Sequence, residues 1–206
     1  MKVLLINGSP HEKGCTYTAL SLIAGELKAQ GIETEILHVG GQPVGGCIGC
    51  GGCRSGNGCV FGGVVNEAIE KAKTADAFVF GTPVHYASAS GNMTSFMDRL
   101  AYAGGKYLAY KPAAICASAR RAGTTTTLDQ LVKYPEFFHM PLVSGSYWPM
   151  VHGSKPEQVL EDEEGCAVMR ELGWNMAWLL KCIELGKANG ITHPENPRRP
   201  MTNFIR

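Results

Sequence analysis

The chain has 206 residues, 45% hydrophobic and 18% charged, which is long enough to bury one sizeable core and too apolar for a wholly disordered chain. Nineteen lysines and arginines against 18 acids leave a formal charge of +1, which argues against a general nucleic-acid or acidic-membrane surface. No run approaches the ~20 apolar residues of a membrane span, and Val3, Leu4, Leu5 and Ile6 are too few for a signal-peptide core of about 7–15, so a cytoplasmic protein is expected.

In chain order, residues 3–6 form a continuous aliphatic run that predicts a strand buried on both faces. Residues 16–30 carry Ala19, Leu20, Ile23, Ala24 and Leu27 at helical spacing, with Gly31 where a C-terminal cap belongs. A strand is expected at 32–39, a helix at 64–74 and another buried strand at 76–81. Residues 91–102 place Met93, Phe96, Met97 and Leu100 on one helical face. A strand at 112–117 and a turn at 118–127 lead into a short helix, and 141–145 reads as the last strand. One long helix is expected over 157–189, with acids at its start, Lys181 and Lys187 near its end, and Gly190 as cap. The segment 191–206, with three prolines and three arginines, reads as an extended arm after a domain of residues 1–190. Alternating strands and helices with short loops predict a doubly wound α/β fold on a five-stranded parallel sheet.

In such a sheet ligands bind at the carboxyl ends of the strands, and three loops there carry unusual residues. The first, residues 7–17, leads into a helix start, where free N–H groups and the positive dipole end favour an anion. It has neither a dinucleotide fingerprint nor a nucleotide P-loop; it offers the hydroxyls of Ser9, Thr16 and Tyr17, suited to one phosphate monoester. An ordinary strand-to-helix turn with a Thr cap fits the same residues. The second loop holds Pro83, Val84, His85 and Tyr86, with small residues after it. Its aromatics suit stacking on a flat ring or simple coverage of the strand ends. The third, Ser118 to Thr124, has hydroxyls and glycine suited to a heteroaromatic edge, while Arg120 and Arg121 also read as solvated surface.

Gly8-Ser9-Pro10 with Gly14-Cys15-Thr16, Gly81-Thr82-Pro83-Val84-His85-Tyr86 and Ser118-Ala119-Arg120-Arg121 together resemble the flavodoxin-like NADPH-dependent FMN reductases, in their iron–sulfur flavoprotein branch. The resemblance implies a flavodoxin-like fold. It also implies that Ser9, His11, Cys15, Thr16 and Tyr17 hold the FMN phosphate, and that Pro83, Val84, His85, Tyr86, Ser118, Arg121, Gly123 and Thr124 border the isoalloxazine. The chain departs from the family's usual residues at His11, Cys15 and His85. Cys15 at a helix start reads either as a thiol with lowered pKa or as a small residue that fits.

Four of the eight cysteines crowd into residues 47–59 as C-x2-C-x2-C-x5-C: Cys47, Cys50, Cys53 and Cys59. In a reducing compartment such crowding points to metal or redox chemistry. Three thiolates at i, i+3 and i+6 can wrap one face of a cube, and the glycines between them permit tight turns. The resemblance implies a 4Fe-4S cluster here. A metal-free loop and a zinc site remain open, zinc ranking below iron because its knuckles usually pair across a longer loop. Cys116, Cys166 and Cys182 read as packed core thiols. Trp174, Trp178, Met169 and Met176 fall at helical spacing and read as core or a dimer seam. His139, His152 and His193 have no evident partner.

The resemblance implies an oxidoreductase that moves electrons from NAD(P)H through FMN, via the cluster where present, to a small-molecule or protein acceptor, with the protein positioning the flavin and tuning it. No residue is assigned an acid or base role. One alternative is a non-enzymatic FMN carrier reduced by a partner such as ferredoxin. Another is a cysteine-based redox or metal sensor. The resemblance also implies a homodimer or homotetramer, and no nucleic-acid or membrane partner is expected.

Overall fold

A computed structural model describes residues 1–195 and 202–203; most of the arm expected at 191–206 lies outside the described residues. Its elements are β1 (Lys2–Asn7), α1 (Cys15–Ala29), β2 (Glu33–His38), α2 (Val64–Thr74), β3 (Ala77–His85), β4 (Ser88–Ala89), α3 (Gly91–Gly104), β5 (Ala113–Ala119), α4 (Thr124–Phe137), β6 (Met150–His152), α5 (Pro156–Glu161) and α6 (Glu163–Ala188). The strands run in the order β2-β1-β3-β5-β6, all parallel. The two-residue β4 folds back antiparallel on β3. The order is that of the flavodoxin-like class of doubly wound sheets.

The period of two along each strand divides the core. Leu4 and Ile6 of β1, Phe78 and Phe80 of β3, and Ile115 of β5 pack against α2, α3 and α4. Val3 and Leu5, Val79, and Ala114 with Cys116 face α1 and α6. Both faces are covered, so the central strands contain almost no polar residue. Each large side chain buried this way contributes about 1.5–3 kcal/mol. The α1–α6 contact is close enough that a Cβ on Gly173 would stand 2.9 Å from the Ile23 carbonyl, and Trp174 Nε1 donates to Glu26 across it at 2.6 Å. Burial pushes the Cys116 thiol up to about 12, which fits an inert core residue.

Four expectations are corrected. Residues 141–145 do not form the last strand; they touch β5 through one bridge, Ala113 to Leu142. The edge strand is β6, whose three residues, with one buried, are too short to read as a hydrophobic run. The expected helix at 157–189 is two helices. Asp162 interrupts it: one carboxylate oxygen accepts the Gly165 amide at 3.0 Å and caps α6, and the other accepts the His152 amide at 2.7 Å. The helix after the third loop is 14 residues long, not short. Cys182 is exposed, unlike Cys116 and Cys166. On α6, Met169 and Met176 are buried while Trp174 and Trp178 are largely exposed. Among the described residues no helix is long and apolar enough to cross a membrane.

Candidate functional site

At the carboxyl end of β1 the fully buried Asn7 folds the chain back on itself. Its Oδ1 accepts the Ser9 amide at 3.1 Å and its Nδ2 donates to the Glu12 carbonyl at 2.9 Å. Ser9 Oγ then accepts the His11 amide at 3.1 Å. His38 Nε2 lies 2.7 Å from the Ser9 carbonyl; a carbonyl only accepts, so the imidazole proton sits on Nε2. Gly40 backs the same peptide so closely that a Cβ would come within 2.2 Å of the Ser9 carbonyl oxygen. The loop ends at Gly14, where α1 starts with no capping side chain and no acid in its first turn. That leaves the N–H end of α1 open to an anion.

Ser9 and Thr16 are buried beside this helix start, and Thr16 Oγ1 meets Ser118 Oγ of β5 at 2.8 Å. The first and third loops are therefore joined by a buried hydroxyl pair. His11 is exposed and Tyr17 half-buried at the rim. Cys15 donates to the Gly153 carbonyl at 3.4 Å, and partial burial pushes its thiol up. Of the two readings of Cys15, this burial favours the small residue that fits over a thiol with lowered pKa.

The second loop is a strained hairpin. Between β3 and β4, Tyr86 and Ala87 adopt φ of 51° and 58°, the positive pair that a two-residue type I′ turn requires. Left-handed geometry costs an L residue about 1–2 kcal/mol. Helix α4 holds the turn in place. Thr126 Oγ1 donates to the Ala87 carbonyl at 2.8 Å, and Gln130 Oε1 accepts from Ser88 Oγ and the Ala89 amide at 2.7 and 2.9 Å. Gly123, at φ 96°, lies against Ala87 where any Cβ would collide. The Tyr86 side chain is fully exposed at the tip. A strained, braced aromatic tip beside the strand ends is where ligand contacts concentrate. Pro83 and Val84 are half-buried below it, and His85 and Arg121 are exposed. Thr124 is buried with its hydroxyl directed at Met150 Sδ, 3.1 Å away.

The four clustered cysteines line one cavity of about 270 Å³ that contains no carboxylate. Gly49, Gly51, Gly56, Gly58, Gly62 and Gly63 have positive φ, so the loop turns where side chains would be strained. Asn66 of α2 clamps Cys59 at both backbone groups, accepting its amide at 2.8 Å and donating to its carbonyl at 3.0 Å. Arg99 of α3, buried, donates from Nε to Cys59 Sγ at 3.2 Å. Among the described residues no group of three or more His, Cys, Asp or Glu stands where it could share one metal ion. A cubane needs a sulfur at each of several separate corners, and a cavity walled by four cysteines with a cation on one of them fits that group.

Helix α3 ties the two places together. Its N-cap Ser90 donates from Oγ to the Gly8 carbonyl at 2.8 Å. Asn92 anchors the lead into the cysteine loop through the Gly40 and Gln42 carbonyls and the Val44 amide. Arg99 holds the cysteine loop itself. Nine residues of helix set the Ser90 and Arg99 positions about 13.5 Å apart along the axis. Sequence reading missed Asn7, His38, Asn66, Ser90, Asn92 and Arg99. Asn7 and Ser90 lie within two of the flagged loops and were accessible as turn and cap residues. Asn66 and Arg99 gave no local signal, because their partners lie on a loop whose path the sequence does not reveal.

The family model described as NADPH-dependent FMN reductase matches residues 1–155. An iron-sulfur flavoprotein of Methanocaldococcus jannaschii is 30% identical over 193 residues, covering 89% of this chain and 100% of that protein. One of Archaeoglobus fulgidus is 31% identical over 196 residues, covering 91% and 96%. Two solved structures share the fold. RosB with a bound formylated riboflavin-phosphate intermediate gives a TM-score of 0.70 at 13% identity, covering 100% of this chain and 93% of that one. An NAD(P)H:quinone oxidoreductase from Methanothermobacter marburgensis gives 0.65 at 16% identity, covering 85% and 96%. Sheet order, family match and near full-length relatives agree: the chain belongs to the NADPH-dependent FMN reductase family, in its iron-sulfur flavoprotein branch, and is an FMN-dependent oxidoreductase.

Proposed function

We propose that the protein takes electrons from NAD(P)H onto FMN and passes them through a 4Fe-4S cluster on Cys47, Cys50, Cys53 and Cys59 to a small-molecule or protein acceptor. The observation that carries this reading is that α3 braces both the loop after β1, through Ser90, and the cysteine loop, through Arg99. The relatives' name, iron-sulfur flavoprotein, supports the cluster, and the family description supports the nicotinamide donor.

The chemistry supplied by bound FMN would be hydride acceptance and single-electron release, and that supplied by a 4Fe-4S cluster would be single-electron transfer. The chain's own residues supply position. The amides at the start of α1, with Ser9, His11, Cys15, Thr16 and Tyr17 around them, would hold the phosphate. One of the two hydroxyl protons of Thr16 and Ser118 is used within their pair, so the pair offers one outward donor. Pro83, Val84, His85 and Tyr86, with Ser118, Arg121, Gly123 and Thr124, would border the ring. The braced Tyr86 tip is suited to lie on a ring face, excluding water from it. No general acid or base is required of the protein. A homodimer or homotetramer belongs to the same reading, since Trp174 and Trp178 present exposed apolar surface on α6.

The test is anaerobic mixing of the flavin-loaded protein with NADH and with NADPH, followed at the flavin absorbance. Bleaching by at least one nucleotide is expected. Absence of bleaching with both, together with bleaching by reduced ferredoxin, would replace this reading with that of a carrier reduced by a partner protein.

A further inference from the structure

Arg99 is 6% exposed, and among the described residues no carboxylate pairs with it. A buried guanidinium is costly unless its protons are bonded and a negative charge lies near it. Its terminal nitrogens donate to the Gly45 carbonyl at 3.4 Å and the Gly62 carbonyl at 3.0 Å. The Phe61 ring covers it at 5.4 Å. Its Nε proton goes to Cys59 Sγ at 3.2 Å. Carbonyls satisfy hydrogen bonds but carry no net charge. Among the hydrogen-bond partners of Arg99 in the described residues, the atom that can become an anion is the Cys59 sulfur on the cavity wall.

We propose that Arg99 is the internal counter-ion of the cysteinyl cluster, holding it in the loop and raising its reduction potential. The inference rests on the cluster assigned above to Cys47, Cys50, Cys53 and Cys59. Four thiolates outweigh the positive charge of a cubane core, and reduction adds one more negative charge. A fixed cation hydrogen-bonded to one sulfur therefore stabilises the reduced form more than the oxidised form. Arg54 lines the same cavity but is exposed, so water screens it and its influence is smaller. Arg99 touches a ligand of the cluster and leaves the flavin loops untouched, so its effect is confined to one of the two redox centres.

The experiment uses protein prepared without oxygen, with iron and sulfide assayed, and a dye-equilibrated redox titration in which EPR reads the cluster and absorbance reads the flavin. In Arg99→Gln and Arg99→Met the oxidised-to-reduced ratio of the cluster at fixed potential is expected to rise about tenfold, a midpoint lower by about 59 mV for one electron. The flavin midpoint stays in place, and Arg54→Gln shifts the cluster ratio much less. A cluster lost from both neutral variants but kept by Arg99→Lys also supports the counter-ion. Loaded neutral variants with an unmoved cluster midpoint overturn it. So does loss from all three variants, which would assign Arg99 to loop shape alone. Wild-type protein without iron and sulfide removes the cluster reading itself, and this inference with it.

Discussion

Replacing Asn7 with alanine removes two hydrogen bonds that fold the loop after β1. Ser9 is buried, so its amide loses its acceptor with little water to replace it, at about 1–3 kcal/mol. The Glu12 side of the loop is exposed, so that carbonyl rehydrates and the loss there is about 0.5–1.5 kcal/mol. Together the change costs about 2–4 kcal/mol, and for a chain of this size an apo-protein Tm lower by about 4–16 °C is expected. The loop also carries Ser9 and His11 into the helix start. About 2 kcal/mol of added ordering would weaken FMN roughly 30-fold. Flavin fluorescence quenching on stripped protein measures that affinity, and thermal unfolding of the same sample measures stability. A lowered Tm with FMN affinity within about twofold of wild type would mean instead that Asn7 supports β1 without shaping a phosphate site.

Three further outcomes follow from the same geometry. Gly40→Ala drives a Cβ into the Ser9 carbonyl, and because the obstacle is backbone the loop itself must shift, at about 1–3 kcal/mol; FMN affinity should fall while Gly45→Ala, which meets nothing within 4 Å, serves as a neutral control. Asn66→Ala releases both backbone groups of Cys59, so iron per chain should drop with FMN content unchanged, a split that metal and flavin assays on one sample resolve. Glu35 is held below the usual carboxylate range by Lys2 and Lys71. Its contribution is present above the ordinary Glu pKa and is lost as pH falls through the lowered value, so in Tm measured against pH Glu35→Gln should cost up to about 1 kcal/mol at neutral pH and progressively less as the solution is acidified below the ordinary Glu range.

The central strands and covering helices were legible because Val3 to Ile6 and Phe78 to Phe80 have no polar partner to find, and burial on both faces fixes them as inner strands. The helical stripes of α1 and α3 were equally direct. β6 was not legible: with three residues and one buried, its pairing is decided by β5 beside it. The α5–α6 break was hidden because Asp162 reads as one more acid in a run, and its bond to the His152 amide of β6, beside its cap on Gly165, depends on the tertiary fold. Of the site, the loop residues and the four cysteines could be named from spacing. The residues that fix them in place could not, since Asn66 and Arg99 act on a loop whose return path depends on glycine torsions rather than hydrophobic pattern. The strain at Tyr86 and Ala87 was likewise invisible, because neither residue is a usual choice for positive φ.

The most direct test is the amount of FMN, iron and acid-labile sulfide per chain in protein purified without oxygen. About one FMN with about four iron and four sulfide is expected. FMN without iron or sulfide would contradict the cluster and leave a flavin reductase whose four cysteines line the cavity for another purpose.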